Sequence, residues 1–435
     1  MNILFLWPPH IPSYFNAGHH LPLFQTAQYV RKNTKIDNVK CIDAGVLNYT
    51  WKEIADILSQ NKFDFIAVMN DFDAIDTFPR TIRYIKKLSS DSKIITFGRL
   101  SKSIPKFFEK YDIDAIVYSG DYETSVVEFI NYSLNYINKP KGIFYKDNNK
   151  WCIGEKGEFL DSSKWEFPDF TEFPFEAYDS MYKNDRNKFC GIPNRRELVV
   201  NVSRGCTVGC KFCDVPKMQG LLDRRIDYRT LVEYIKESFK LYPFEYVTFY
   251  SPTFTLDRQW TINFCKLMKK TNKKYPWKCV TTIEHLDKEL ILKMKEAGCV
   301  RISIGVETID ELAEKELPLI KRKTKQKIKL LLEICNQIEI ELNCFVILGL
   351  PGETISGAKE TIKFLKKYNA RVRPTIYTPY NLLSSNMNID EIATFNRQLF
   401  IDKLINEEIE REFYNIFYEK ENKLTEVYKK IEKRR

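Results

Sequence analysis

Short apolar strands alternating with amphipathic helices, in two separate runs, constrain this 435-residue chain more than any other feature of its sequence. A strand, a covering helix and a second strand bring the chain back to the same edge of a sheet. Repeated alternation therefore builds parallel sheets with helices on their faces. The first run predicts strands at Asn2–Trp7, Val39–Asp43, Phe65–Met69, Lys93–Phe97 and Ala115–Tyr118, with helices at Leu21–Lys32, Trp51–Ser59, Phe78–Leu88, Ser103–Lys110 and Glu123–Leu134. The second predicts strands at Leu198–Ser203, Tyr246–Tyr250, Lys278–Thr282, Val300–Gly305, Glu341–Leu348 and Arg373–Tyr377. Helices at Tyr228–Leu241, Trp260–Lys273, Lys288–Ala297, Lys323–Gln337 and Ile355–Lys367 fit between them.

Five strands in the first run predict an α/β, flavodoxin-like Rossmann unit over residues 1–135, whose ligands sit at the carboxyl ends of the strands. Those ends carry Pro8-Pro9-His10, Asn70-Asp71-Phe72-Asp73, Gly98-Arg99-Leu100-Ser101 and Ser119-Gly120-Asp121-Tyr122-Glu123. None makes the Gly-x-Gly-x-x-Gly dinucleotide fingerprint, which argues against NAD. Residues 136–195 lose the alternation and read as a linker with a small hairpin at Gly142–Trp151, turning at Asp147-Asn148-Asn149. The aromatic and acidic stretch from Trp165 to Phe175 reads as a strap between the two halves. Beyond a 196–380 unit, the tail 381–435 is helical by pattern at Ile389–Leu404 and Glu408–Lys430, and reads as a lid.

Composition excludes some classes. Hydrophobic content of 44% and charged content of 29% are those of a globular chain, and no run of about 18 apolar residues provides a membrane span. The first residues lack a basic stretch and a small-residue cleavage site, so they read as a strand rather than a signal peptide. Eleven cysteines without regular spacing form no disulfide framework and imply a reducing cytoplasm. Cys41, Cys152, Cys190, Cys265, Cys279, Cys299, Cys335 and Cys344 read as small core residues. The net charge of +10 is spread over lysine-rich helices, densest at Lys321-Arg322-Lys323 and near Lys429-Lys430, and reads as solvated faces; a nucleic-acid partner is disfavoured.

The remaining three thiols cluster. Cys206, Cys210 and Cys213 form Cys-x3-Cys-x2-Cys directly after the first strand of the second run. Tight loops of thiolates bind soft metals, and iron–sulfur clusters take cysteines at such spacings. A zinc knuckle that draws a fourth ligand from afar, or three buried thiols without a metal, are the other readings of the spacing alone.

With Phe212 before its last cysteine, the loop resembles that of the radical S-adenosylmethionine (SAM) superfamily. The resemblance extends to Gly305-Val306-Glu307-Thr308, to Gly349-Leu350-Pro351-Gly352-Glu353-Thr354 and to Glu284-His285-Leu286-Asp287. It implies a partial (β/α)6 barrel over 196–380, with the catalytic face at the strand C-termini, and a [4Fe-4S] cluster held by Cys206, Cys210 and Cys213. The open iron of that cluster would chelate SAM. Phe212, Ser251, Thr253, Glu307 and Gly349 would contact SAM, although Ser251-Pro252 stands where many relatives carry acids. Arg224 or Arg225 would neutralise a carboxylate or phosphate, or make a surface salt bridge.

The N-terminal run is similar to the cobalamin-binding unit that precedes the barrel in a large radical SAM subfamily, on Pro8-Pro9, Pro22-Leu23 and Gly120-Asp121. Pro8, Asn70, Asp71, Gly98, Arg99, Ser119, Gly120 and Asp121 would then line the cobalamin site. The subfamily's second glycine after the fourth strand is Arg99 here, and its Asp-x-His-x-x-Gly motif is absent, Gly18-His19-His20 being no substitute. The implied cobalamin is base-off, without a histidine ligand. A Rossmann unit that binds nothing is the alternative.

The implied activity is a cobalamin-dependent C-methyltransferase acting on an unactivated carbon of a natural product, peptide or lipid, with flavodoxin or ferredoxin as electron donor. A radical SAM enzyme catalysing a rearrangement or cyclisation, and a cobalamin or cluster sensor without turnover, are the alternatives. A methylthiotransferase is disfavoured, because its extra N-terminal cysteines and C-terminal β-domain have no counterpart.

Overall fold

The computed structural model describes residues 1–10, 20–180, 190–192, 194, 196–322 and 325–395. Its strands are β1 (Asn2–Trp7), β2 (Asn38–Asp43), β3 (Phe65–Asn70), β4 (Lys93–Gly98), β5 (Ala115–Val117), β6 (Ile143–Asp147), β7 (Lys150–Ile153), β8 (Glu197–Asn201), β9 (Ser203–Arg204), β10 (Arg224–Arg225), β11 (Tyr246–Tyr250), β12 (Trp277–Thr281), β13 (Cys299–Glu307), β14 (Glu341–Leu348) and β15 (Arg371–Ile376). They form one sheet in the order β2-β1-β3-β4-β5-β6-β7, a second in the order β15-β14-β13-β12-β11-β8, and the short pair β10-β9.

The first five strands of the N-terminal sheet are parallel, in the order that a doubly wound sheet predicts. Every residue of β3 is buried, as a central strand covered on both faces requires. The helix Phe78–Leu88 buries Phe78, Thr81, Ile82 and Ile85, one stripe at three- and four-residue spacing. Two expectations change here. The helix expected at Ser103–Lys110 is a short helix at Arg99–Ser103 followed by a 3-10 turn at Pro105–Lys110, because Pro105 cannot donate to a continuing helix. The hairpin expected in a linker instead extends the sheet: β6 pairs antiparallel with β5, and β7 with β6.

All six strands of the second sheet are parallel and follow chain order, the open (β/α)6 arrangement expected from the alternation. Phe249, Phe254, Phe264 and Trp277 fill the space between strands and outer helices, with ring centroids 5.2–5.8 Å apart. The first strand breaks at Val202, so the chain enters the cysteine loop through β9 rather than along one continuous strand.

The aromatic stretch packs on both halves. Phe167 stacks on Tyr234 of the helix Tyr228–Leu241 at 3.7 Å, while Phe173 lies 4.8 Å from Phe24 of the helix Leu21–Asn33. Glu172 accepts from Arg31 at 2.6 Å. The lid reading of the tail is corrected as far as residue 395: Tyr380, Leu383, Met387, Ile389, Ile392 and Phe395 pack into the core of the N-terminal sheet, with Phe395 stacked 6.0 Å from Phe72. The helices predicted beyond residue 395, and Gly18-His19, lie outside the described residues. No helix among the described residues is long and apolar enough to cross a membrane.

Candidate active site at the facing strand ends

The cysteine loop leaves β9 and returns through β10, and the antiparallel pairing Ser203–Arg225 and Arg204–Arg224 closes its neck. Gly205 has φ +92°, and a Cβ there would stand 2.0 Å from the carbonyl oxygen of Leu222; only glycine lets the two sides of the neck approach so closely. Cys206 N–H donates to Gly220 at 3.2 Å, and Cys213 N–H to Cys210 at 3.1 Å. All three thiols are free and half-buried in this one loop. Burial pushes Cys210 up to about 11 and raises Cys213, while Lys321 acts on both in the opposite sense. Among the described residues, no three His, Cys, Asp or Glu side chains close on one point as ligands of a single ion do.

Beside the loop stands the end of β13. A register shift between Gly305 and Glu307, with φ +64° at Glu307, turns that carboxylate back, and it takes up an ion pair with Lys321 at 2.6 Å. A Cβ at Gly305 would come within 2.2 Å of the Glu307 carboxylate and 2.9 Å of the Lys321 ammonium, two flexible side-chain ends that would have to shift to admit it. Lys321 also lies over the Phe212 ring at 5.6 Å, and Phe212 packs against Ala313, Leu317, Ile347 and Leu350 with Tyr377. Gly349, φ +82°, donates its N–H to Glu353 at 2.8 Å. Burial pushes the Glu353 carboxyl up to about 7, against the hydrogen bonds from Thr308 and Gly349. At the end of β11 the Ser251 hydroxyl bonds that of Ser203 at 2.6 Å, and the buried Thr253 hydroxyl has no protein partner among the described residues.

The N-terminal strand ends face this loop. Arg99 donates to Asp214, the residue after Cys213, at 2.6 Å, and its guanidinium lies 5.7 Å from the Phe72 ring and 5.4 Å from that of Tyr380. Lys102 donates to the Met218 carbonyl at 2.7 Å, and Lys217 to that of Ser103 at 3.2 Å. Asp121 sits between two arginines of the loop's neck, 2.6 Å from Arg224 and 3.5 Å from Arg204; Arg204 also meets Glu123 at 2.7 Å. Burial opposes ionisation of Asp121, but Arg204, Arg224 and Lys102 outweigh it and hold the carboxyl below its ordinary value.

Other strand-end candidates are engaged within their own unit. Asn70 bonds Thr96 at 2.7 Å and Ser101 N–H at 2.9 Å, and Gly98 is packed on the Asn70 backbone. Asp71 accepts from Phe72 N–H at 2.7 Å. Ser119 accepts from Gly157 N–H at 2.8 Å, and the Gly120 backbone is packed against Gly157 and Glu158. The Pro8 carbonyl bonds the ring of His10, which stacks on Trp7 at 4.1 Å.

The structure therefore brings Cys206, Cys210, Phe212, Cys213 and Glu307 to one place, with Arg99 and Asp121 against the same loop. Sequence reasoning missed Lys321, which lies in a run expected to be solvated but has a side chain only 13% exposed. Arg224 does neutralise a carboxylate, that of Asp121, with 14% of its side chain exposed. The only sequence signal for Lys321 was its position shortly after the Gly-x-Glu strand.

Residues 200–365 match the family model described as the Radical SAM superfamily. No curated protein matches the sequence. Among solved structures, the radical S-adenosylmethionine methyltransferase TsrM from Kitasatospora setae, solved with cobalamin and a [4Fe-4S] cluster bound, is 16% identical with a TM-score of 0.67, covering 88% of this chain and 74% of TsrM. The cobalamin-dependent S-adenosylmethionine radical enzyme OxsB, solved with aqua-cobalamin and S-adenosylmethionine bound, is 19% identical with a TM-score of 0.67 over 92% of this chain, which spans 56% of OxsB. Residues 200–365 therefore carry a Radical SAM domain, and along most of its length the chain has the fold of TsrM and OxsB.

Proposed function

We propose that the chain is a cobalamin-dependent radical SAM C-methyltransferase, acting on an unactivated carbon of a natural product, peptide or lipid. The observation that carries this reading is the Arg99–Asp214 ion pair, which sets the strand ends of the N-terminal sheet against the residue next to Cys213. The donor set fits a cluster: three thiols come from one short, glycine-turned loop, and a cuboidal cluster takes each thiolate at a different iron, so they need not converge on one point. Tyr122, Tyr250, Tyr380 and Arg99 stand where the strand ends of the two sheets meet, each partly reached by solvent, and offer aromatic faces and a cation to a large amphipathic ring.

When bound, these groups supply reductive cleavage of SAM, leaving methionine and a 5′-deoxyadenosyl radical, and a methyl group carried on cobalt. The chain's part is binding, orientation and exclusion of water. Cys206, Cys210 and Cys213 hold the cluster, and Phe212 closes one side of the loop against Leu317, Ile347 and Leu350. The Thr253 hydroxyl, Glu307 and the Gly349 turn stand at the strand ends where SAM would lie. Asn70, Asp71, Gly98, Arg99 and the Ser119-Gly120-Asp121 turn frame the cobalamin side, with Pro8 at its margin. A small electron-transfer protein such as flavodoxin or ferredoxin would supply the electron in a reducing cytoplasm.

The test is anaerobic reconstitution with iron, sulfide and cobalamin, followed by a visible spectrum, an assay for 5′-deoxyadenosine and transfer of label from methyl-labelled SAM. The expected result is cluster and cobalamin absorption together, with 5′-deoxyadenosine formed. Alanine at any one of Cys206, Cys210 or Cys213 should abolish iron uptake and SAM cleavage. A spectrum without cobalt bands overturns methyl transfer; 5′-deoxyadenosine without methyl incorporation assigns a non-methylating reaction, and its complete absence a sensor.

A further inference from the structure

The interior face of the second sheet is built in layers whose chemistry changes from one to the next. Along each strand, residues packed against the outer helices, such as Val247, Cys279, Ile302 and Cys344, alternate with residues that face the open interior. The lowest interior layer is charged and closed on itself. Glu197 of β8 accepts from the Tyr246 hydroxyl of β11 at 2.8 Å and pairs with Lys278 of β12 at 3.2 Å, while Arg301 of β13 pairs with Glu341 of β14. Two residues further along the same strands stand Val199, Thr248, Val280, Ser303 and Asn343, and this layer carries no charge.

Its polar groups are left with open ends. Asn343 is 4% exposed; its amide N–H donates to the Ser303 hydroxyl at 3.2 Å, and its amide carbonyl has no protein partner among the described residues. The Thr248 hydroxyl, three strands away across the sheet, is shielded from solvent and has no partner there either. A buried carbonyl without a donor forfeits the hydrogen bond it would make in water, so it calls for a donor that the chain itself does not supply. Further along β13, Gly305 adds no side chain to the interior, and the strand ends at Glu307, four residues and about 13 Å of strand beyond Ser303.

We propose that Asn343, with the Thr248 hydroxyl, anchors the substrate by binding a neutral hydrogen-bond donor, an amide N–H or a hydroxyl, inserted into the barrel below the thiol loop. This rests on the reading of the second sheet as the reaction chamber and narrows the substrates it takes. An ionised group does not suit the place: the charges of the floor are already matched, and a lone charge in a closed space costs far more than a neutral dipole. A bare acyl chain does not suit it either, because it would cover the Asn343 carbonyl without giving it a donor. The anchored group is remote from the reacting carbon, which lies nearer the thiols. Asn343 therefore positions that carbon and selects the substrate, and takes no part in the bond changes.

The experiment uses the full chain, reconstituted anaerobically with iron, sulfide and cobalamin and supplied with SAM, as wild type, Asn343→Leu and Thr248→Val. Iron and cobalt content are measured first. Three probes are then titrated by ligand-observed nuclear magnetic resonance: N-acetylglycinamide for an amide, 1,2-butanediol for a hydroxyl and cyclopentane for an apolar occupant. N-acetylglycinamide or 1,2-butanediol should bind wild type, and Asn343→Leu should weaken that binding about tenfold or more. Which of the two binds tells an amide-bearing substrate from a hydroxyl-bearing one. Cyclopentane should bind Asn343→Leu as well as wild type or better, whereas collapse of the chamber would weaken every probe alike. Equal binding of the polar probes by wild type and Asn343→Leu, uniform loss of all three, or binding of cyclopentane alone to wild type overturns the inference. Wild type that holds iron and cobalamin but binds no probe overturns it and leaves the proposed function standing. Wild type that takes up neither overturns the proposed function and this inference with it. Should Asn343→Leu fail to fold, Thr248→Val decides in its place: weaker binding of the polar probes alone supports the anchor, and unchanged binding overturns it.

Discussion

Arg99, at the end of β4, and Asp214, directly after Cys213, form a 2.6 Å ion pair across 115 residues of sequence. Their side chains are 23% and 11% exposed, so water screens the pair only in part. The pair fastens the N-terminal sheet to the thiol loop.

Breaking that pair from one side leaves a mostly buried charge alone. Arg99→Met should destabilise the chain by about 2 kcal/mol, below the 3–5 kcal/mol of a fully buried pair because some solvent reaches it. Arg99→Met with Asp214→Leu should recover at least half of that loss, since no uncompensated charge remains. Urea denaturation followed by tryptophan fluorescence gives both values. Additive losses in the double variant would show that the two residues do not act as a pair.

Glu353 predicts a pH dependence of stability. Burial raises its carboxyl from 4.5 to about 7 in the fold, so between those values the folded chain holds a proton that the unfolded chain has lost. Stability from this group is therefore present at low pH and falls as pH rises toward about 7. Glu353→Gln keeps the shape and removes the ionisation. It should be more stable than wild type by about 1–3 kcal/mol at pH 8 and close to it at pH 5, by thermal melts across that range. An equal difference at both pH values would place the carboxylate in an ionised state throughout.

Gly205 and Gly209 separate close approach from backbone conformation. Both have positive φ, +92° and +70°, but a Cβ at 205 meets the Leu222 carbonyl at 2.0 Å, while one at 209 meets nothing within 4 Å. Gly209→Ala should lose about 1 kcal/mol and still take up iron. Gly205→Ala should lose most iron uptake, because the neck between β9 and β10 must open. Iron assay after reconstitution, with far-ultraviolet circular dichroism as a check on folding, distinguishes them. Full iron loading of Gly205→Ala would show that the neck does not define the site.

The parallel alternation was legible because apolar runs of strand length and stripes of helical spacing are local properties, and because strands such as β3 are buried on both faces. The cysteine loop was legible for the same reason: three thiols close together in sequence form a local pattern. The edge hairpin β6–β7 was readable as a hairpin but not as part of the sheet. Its own sequence decides its turn, while the free edge of β5 decides its partner. The break at Pro105 has a local signal too, since proline lacks the N–H that a continuing helix needs.

What the sequence by itself determined is therefore two helix-covered parallel sheets and a thiol loop at the head of the second. Only the tertiary structure decided which charges meet there. In one dimension Lys321, in a basic run, looks solvated, and Asp121, in a strand-end turn, looks like a ligand contact. Their partners Glu307, Arg204 and Arg224 lie 14, 83 and 103 positions away, and a long side chain chooses its partner by what the fold places within reach once water is excluded. The segment 380–395 follows the same rule, returning to the N-terminal sheet because Phe72 and its neighbours there offer an apolar surface that no local pattern could reveal.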